Sequence, residues 1–358
     1  MRALVTGATG YVGSRLVCAL LAAGHDVVVT SHRPESVDRF GWSDEVSAVP
    51  MDVDDPSSVT EALQSTSPID VVYYLVHGIG SADFGESDAL AAGAVAKAAA
   101  DANVRRIVYL GGFVPDGDKE KLSTHLRSRA AVGEALEIDG GADLVWLRAA
   151  VILGAGSTSF EIIRYVADRL AVIPEPGWAN NPMDPISVRD VVHYLVAVAD
   201  PDIPAGAYDI AGPDEDARYR TVLSEYLHAI RQPRLRIPVP HVSTKIAGRV
   251  AGLLVPVPTA LTADLVTSLN HPMHASEHAI RDLVPDPPGG LTSMHDAVEK
   301  SVRTPAPRAV DALVDVHHLA DTDPEWAGGD LMRLRRRVGS VVDVATRPVR
   351  NVVSMLTG

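Results

Sequence analysis

The sequence predicts a doubly wound α/β fold built on a parallel sheet, and three observations carry that prediction. Short apolar runs alternate with alanine-rich amphipathic stretches from residue 2 to about Gly212, the rhythm of parallel strands joined by crossover helices. Several of the runs are apolar throughout, as strands covered on both faces must be. A glycine-rich turn joins the first run to the first amphipathic stretch, where doubly wound sheets carry their ligand loop.

In order, the predicted strands are Arg2–Thr6, Asp26–Thr30, Val46–Pro50, Ile69–Val76, Arg105–Leu110, Asp143–Arg148 and Ala207–Ile210. Helical spacing recurs between them at Tyr11–Ala23, Ser57–Gln64, Ser87–Asn103, Lys121–Ile138, Ser159–Leu170 and Val188–Ala199, with Gly24 placed to stop the first. After Gly212 the rhythm changes and prolines crowd in, among them Pro233, Pro238, Pro240, Pro256 and Pro258. The expected division is a Rossmann-type domain over 1–212, a small, mostly helical lobe over 213–304, and a tail over 305–358. Within the lobe, Thr244–Val266 is apolar and proline-broken, consistent with a greasy lid.

Composition narrows the function. The 358 residues carry a formal charge of −14, which gives no electrostatic reason to bind nucleic acid, since phosphate backbones reward clustered Lys and Arg. A small-molecule substrate is the expected partner; nothing in the sequence fixes an oligomeric state. A single cysteine, Cys18, excludes an intramolecular disulfide and a thiolate zinc site. The close histidine pairs, His271 with His274 and His317 with His318, lack the i, i+4 spacing and nearby acid of a zinc helix, so no metal is expected. Neither a Gly-x-Ser-x-Gly elbow nor a P-loop occurs. The N-terminus runs directly into a strand without a basic and apolar leader, and no window reaches the roughly 18 apolar residues of a spanning helix. The expectation is a soluble, cytoplasmic protein.

The sharpest motif is Thr6-Gly7-Ala8-Thr9-Gly10-Tyr11-Val12-Gly13. Gly7 permits the tight turn, Gly10 admits a pyrophosphate close to the backbone, and Gly13 lets the helix pack on the strand. The helix N-terminus then offers free N–H groups to phosphate. The second strand ends in Ser31-His32-Arg33 rather than the Asp or Glu that accepts a ribose 2′-hydroxyl. A hydroxyl and a guanidinium suit a 2′-phosphate, so NADP(H) is favoured over NAD(H). At the end of the third strand, Asp52 and Val53 would lie by the adenine.

These residues resemble the short-chain dehydrogenase/reductase superfamily, in particular the extended glycine pattern of its atypical, NmrA-like branch. The likeness covers about 1–215 and includes Leu147–Gly154, Pro185–Val191 and Tyr208–Gly212. It implies further cofactor contacts at Leu75, Val76, Gly111, Gly112, Arg129, Ala149 and Ile152. Standard members use a Tyr and a Lys four residues later, the ammonium lowering the phenol pKa. Here the matching positions carry His125 and Arg129, and Gly111-Gly112 stands where a serine is usual. Arg129 would hold the nicotinamide ribose, and His125, or His77 at the end of the fourth strand, would supply a proton. Phe160 either stacks on the ring or lines the substrate pocket, or else is a core aromatic.

In a bacterial subgroup of the branch, a second, lipid-transfer-like domain begins near a sequence like Asp323–Gly329; here only 29 residues follow it, and a basic tail stands in the domain's place. That tail, Leu331–Gly358, holds six arginines and one acid, Asp343. Its spacing suits an amphipathic helix, either lying peripherally on anionic lipid or solvated and packed on its own domain. The functional expectation is an NADPH-dependent reductase of a small apolar carbonyl, quinone or enone. The alternative is a non-catalytic NADP-binding redox sensor or assembly factor, because the Ser, Tyr and Lys set is missing.

Overall fold

In the computed structural model the seven strand-like segments of the first 212 residues form one parallel sheet. They are β1 (Arg2–Val5), β2 (Asp26–Ser31), β3 (Ser47–Pro50), β4 (Val71–Tyr74), β5 (Arg106–Gly112), β6 (Asp143–Ala149) and β10 (Gly206–Asp209). The structure describes residues 1–76, 84–115, 122–257, 259–304, 306–330 and 332–334, without the side chains of 84–86 and 260. His77 and all of 335–358 lie outside them, so the second proton-donor candidate and most of the basic tail have no structural account. Among the described residues no helix is long and apolar enough to cross a membrane.

The strand order is β10-β6-β5-β4-β1-β2-β3, so the winding reverses between β1 and β4, where open α/β sheets bind ligands. Alternation along the strands feeds two cores. Ala3, Val5, Val27, Val29, Tyr73 and Val108 face α1 (Tyr11–Ala22) and α6 (Val188–Ala197), meeting Leu16, Leu20, Val191 and Leu195. Leu4, Val28, Val72, Tyr74, Ile107 and Tyr109 face α2 (Pro56–Thr66), α3 (Phe84–Asp101) and α4 (Thr124–Leu136). Ala92, Ala96 and Ala99 are fully buried on α3, and side chains this small let helices approach closely.

Beyond the sheet, α5 (Thr158–Arg169), α7 (Tyr219–Ala229) and α11 (Met294–Val302) share a third core through Phe160, Val222, Tyr226, Met294 and Val298. Two short parallel pairs escaped sequence reading: β7 (Ile152–Leu153) with β9 (Ile186–Ser187), and β8 (Val172–Glu175) with β11 (Leu235–Pro238). Segments of two to four residues carry too little periodicity to be recognised. The lobe is fastened to the first domain by buried or half-buried carboxylates that accept backbone N–H groups. Asp184 accepts from Ala275, Asp190 from Thr292 and Asp209 from Ser276, at 2.6–2.8 Å, and within the lobe Asp214 accepts from Met294 at 2.6 Å.

Residues 306–334 were expected as tail, yet they wrap the first domain as a strap. Val310 and Ala320 enter its core, while Leu319, Ala327 and Met332 cluster with Ala155. Asp323 pairs with Arg15 of α1 at 2.8 Å, the two side chains 3% and 1% exposed. Glu161 accepts from Gly156 at 3.1 Å and from Gly328 at 2.9 Å. The Asp323–Gly329 motif thus belongs to the packing of this domain rather than to a boundary.

Candidate active site

The glycine loop occupies the reversal point between β1 and β4. Thr6 stitches it down: its N–H and hydroxyl donate to Tyr73 O at 2.9 and 3.1 Å, and the hydroxyl accepts from Leu75 N at 3.1 Å. Gly7 has φ +68°, and a Cβ there would lie 2.7 Å from Leu75 O. At Gly13 a Cβ would lie 2.2 Å from Gly7 O, so only glycine lets α1 begin this close to the turn. No side chain caps the first turn of α1, leaving its N–H groups for an anion.

Across the strand ends runs a cleft of about 340 Å³. Gly7, Gly10, Tyr11, Val12 and Gly13 form one side, Leu75, Leu110, Gly111 and Gly112 the floor, and Ala149, Ala150 and Ile152 the far wall. His125 and Arg129, one helical turn apart on α4, line it together, as the spacing of four requires. Ser157–Ser159 at the start of α5 and Leu261 and Leu265 of α9 (Thr259–Ser268) complete it. The apolar segment expected as a lid therefore supplies part of this enclosure. Ser123, the N-cap of α4, pins it to α9 through a 2.8 Å contact with Ser268 Oγ.

Several expected contacts lie elsewhere. Ala8 is fully buried beneath the loop, and Thr9 does not line the cleft. Tyr11 does line the cleft, but its ring lies under the Arg15 guanidinium, whose Cζ is 4.0 Å from the ring centroid. Val53 and Val76 pack partly into the core. Ser31, His32, Arg33 and Asp52 stand at the ends of β2 and β3, beyond the cleft's side. Ser31 Oγ is engaged locally, with the Arg33 backbone at 3.1–3.2 Å and Ser36 Oγ at 3.0 Å, and the Arg33 side chain is exposed. His32 Nδ1 lies 3.7 Å from Asp52 Oδ2. Phe160 is fully buried, edge-on to Tyr226 at 6.0 Å; it is a core aromatic.

Electrostatics refine the pair on α4. Burial pushes the His125 imidazole down to about 4, so at neutral pH it is uncharged and offers or accepts a hydrogen bond. A general acid working near neutrality would need a pKa closer to the operating pH. Arg129 is 4% exposed, and its Nη1 donates to Tyr109 Oη at 3.2 Å. Burial pulls on its charge as well, but a guanidinium keeps its proton in proteins. Sequence reading missed Tyr109, whose role depends on a tertiary contact alone, and gave Leu261 and Leu265 only as part of the expected lid. Gly111 and Gly112 separate in kind: a Cβ at Gly111 would strike Trp146 Nε1 at 2.4 Å, whereas at Gly112 its nearest neighbour is 3.8 Å away.

One other constellation has the connectivity of a hydrolytic triad. Ser187 Oγ lies 2.7 Å from His317 Nε2, and His317 Nδ1 lies 2.6 Å from Asp315 Oδ1. Ser187 is 1% exposed and caps α6 by accepting from Arg189 N at 3.1 Å. With the nucleophile sealed in this way, the trio locks the strap to the β9–α6 corner.

The loop, the uncapped helix and the cleft at the winding reversal define a dinucleotide-binding Rossmann protein, and the residues present fit a nicotinamide dinucleotide. Residues 3–211 match the NAD dependent epimerase/dehydratase family, and the chain belongs to that family. Uncharacterised proteins of Mycobacterium tuberculosis and Mycobacterium bovis are 30% identical over 217 residues, 60% of this chain. The match spans only 22% of their length. Among solved structures, a nucleoside-diphosphate-sugar epimerase from Staphylococcus aureus superposes with a TM-score of 0.65 at 16% identity, covering 84% of this chain and 100% of its own. Triphenylmethane reductase from Citrobacter, complexed with NADP(H), gives 0.64 at 18% identity over 84% and 100%. The enzyme WbmH of Bordetella bronchiseptica, complexed with NAD+, gives 0.61 at 17% over 84% and 97%. At these identities the likeness is one of fold, and of these neighbours one is complexed with NADP(H) and another with NAD+.

Proposed function

We propose that this chain is an NADPH-dependent oxidoreductase acting on an apolar enone, quinone or related conjugated carbonyl. The observation that carries the reading is the placement of His125 and Arg129 on the wall of a cleft that the glycine loop borders from the other side. A bound reduced nicotinamide supplies a hydride, and that chemistry belongs to the cofactor. The protein must bind, orient and exclude water. Arg129 offers charge-assisted hydrogen bonds to the ribose or to a developing oxyanion. The neutral His125 offers an N–H to the acceptor oxygen, and Leu261 and Leu265 keep water out.

This donor set selects among acceptors. Hydride addition to a simple ketone leaves a localised alkoxide that calls for an acid matched to neutral pH, which His125 does not provide. Addition to an enone or quinone leaves a delocalised enolate or hydroquinone anion, stable enough to take its proton from water only after the product has left the site. NADP is favoured over NAD by Arg33 and by the lack of an acidic residue at the end of β2. The Citrobacter neighbour supports the scaffold's compatibility with NADP(H).

The test needs no guess at the acceptor. The purified protein is incubated with NADPH deuterated at C4 and a small-molecule extract of its own cells, and metabolites are searched by mass spectrometry for deuterium. Protein-dependent label in the saturated product of an enone is expected, or, for a quinone, whose deuterium ends on oxygen and exchanges with water, protein-dependent oxidation of NADPH by the extract. Tight NADPH binding with neither label nor NADPH oxidation would overturn the oxidoreductase and leave the sensor or assembly role, which the missing Ser, Tyr and Lys set favours.

A further inference from the structure

Behind His125 the cleft does not end. It shares Gly112, His125, Ala150, Ser159 and Leu265 with a hollow of about 110 Å³. That hollow in turn shares Ile162, Ile163, Tyr219, Val266 and Leu269 with a chamber of about 290 Å³, a size close to the lower end of small-ligand sites. The chamber lies among α5, β8, α9 and α8 (Thr244–Leu254), and Val166, Ile173, Leu223 and Leu254 typify its walls. Of its polar lining residues, Glu175 is paired with Arg236 and Trp178 Nε1 donates to Val242 O at 3.1 Å, while the exposed Arg220 and the half-buried Tyr219 complete the lining. Ile246 and Val250 form part of the wall while remaining 59% and 50% exposed, which puts the chamber's open side along α8.

We propose that the chamber is a binding site for an aliphatic or isoprenoid chain, the tail of a substrate whose conjugated head reaches the cleft past His125. The inference rests on the oxidoreductase reading for the identity of the head, but the chamber's affinity for a hydrocarbon chain does not. A passage lined mainly by apolar side chains penalises sugar or phosphate groups, which would lose their hydration for few partners. An alkyl chain gains by entering, each buried methylene contributing about a fourfold change in affinity. Continuity through the hollow sets the polarity of binding, with the reactive end at Gly112 and His125 and the tail end at α8.

The experiment uses two ligand series on the whole chain loaded with NADPH. Straight-chain enones of five, nine and thirteen carbons are assayed for NADPH oxidation, and straight-chain alcohols of matching lengths, which accept no hydride, are titrated by calorimetry. The expected result is a KM for the enones and a Kd for the alcohols that fall about fourfold per methylene until the chamber is full. Ala247→Trp fills the chamber and should flatten both series, with retained NADPH binding as the check that it is folded. Val250→Trp, at the exposed rim, should do the same should Ala247→Trp not fold. Enone turnover independent of chain length would overturn the chamber and leave the oxidoreductase standing. Length-dependent alcohol binding, lost in the plugged variants, with no enone consumed would keep the chamber and remove the oxidoreductase. No dependence in either series would overturn the proposal outright.

Discussion

Arg129 and Tyr109 hold each other in a closed pair: the Arg129 guanidinium donates to the phenol oxygen at 3.2 Å, and the phenol donates back to the Arg129 carbonyl at 3.1 Å. The tyrosine rises from β5 and the arginine descends from α4, so the pair ties sheet to helix at the cleft floor. Tyr109→Phe removes both bonds and keeps the ring. It should weaken NADPH binding roughly 10-fold, since hydrogen bonds to charged groups contribute about 1.5–3 kcal/mol and part of the loss is recovered by repacking. Arg129→Lys should not restore binding, because an ammonium cannot reproduce the planar fork. Fluorescence titration of NADPH checks both variants.

Arg33→Ala should separate the cofactors. Loss of the only cation in Ser31-His32-Arg33 is expected to raise the Kd for NADPH about 10- to 100-fold and to leave that for NADH within about twofold. An equal change for the two would remove Arg33 from the 2′-phosphate site.

A base whose folded pKa is depressed binds fewer protons in the folded state than in the unfolded chain between the two values. For His125 these are about 4 and the ordinary 6.5. Its contribution to stability is therefore complete above about pH 6.5 and is lost as the pH falls toward 4, by up to about 3 kcal/mol. His125→Asn should flatten the decline of Tm over that window relative to the native chain. Thermal melts at pH 4.5, 5.5 and 7.5 read the difference directly, and parallel curves would refute the neutral, buried imidazole.

The two glycines closing β5 should respond oppositely to alanine. Gly111→Ala drives a methyl into the Trp146 indole and should cost about 1–3 kcal/mol, as overpacking does. Gly112→Ala meets only ordinary contacts and should unfold at nearly the native denaturant midpoint.

The sheet was legible because each of its strands contributes residues to one or both cores, and the runs at Arg2, Asp26, Asp143 and Ala207 begin within one residue of the observed strands. The glycine loop was legible for a different reason: Gly7 and Gly13 answer to backbone distances of 2–3 Å, and a steric demand that tight leaves one residue type. His125 and Arg129 were singled out by the family resemblance, at the positions of its Tyr and Lys, and helical spacing then put them on one face. What could not be read were contacts between distant segments, such as Asp190 with Thr292 or Ser123 with Ser268, because a lone acid or serine looks the same in sequence whether it caps, clamps or faces water. The strap was misjudged for that reason: Asp323 and His317 lie in a loop-like stretch without periodicity, and only their buried partners reveal that it is structural.

The Arg15–Asp323 pair spans 308 positions. During synthesis at 5–20 residues per second, the helix that carries the glycine loop would leave the ribosome roughly 15–60 s before its counter-ion. Over that interval Arg15 has no acid to accompany it into the interior, and burying it alone would be costly. Leu16 and Leu20 hold α1 to the sheet through residues made early, so the packing that waits for residue 323 is that of the Arg15 side of the helix.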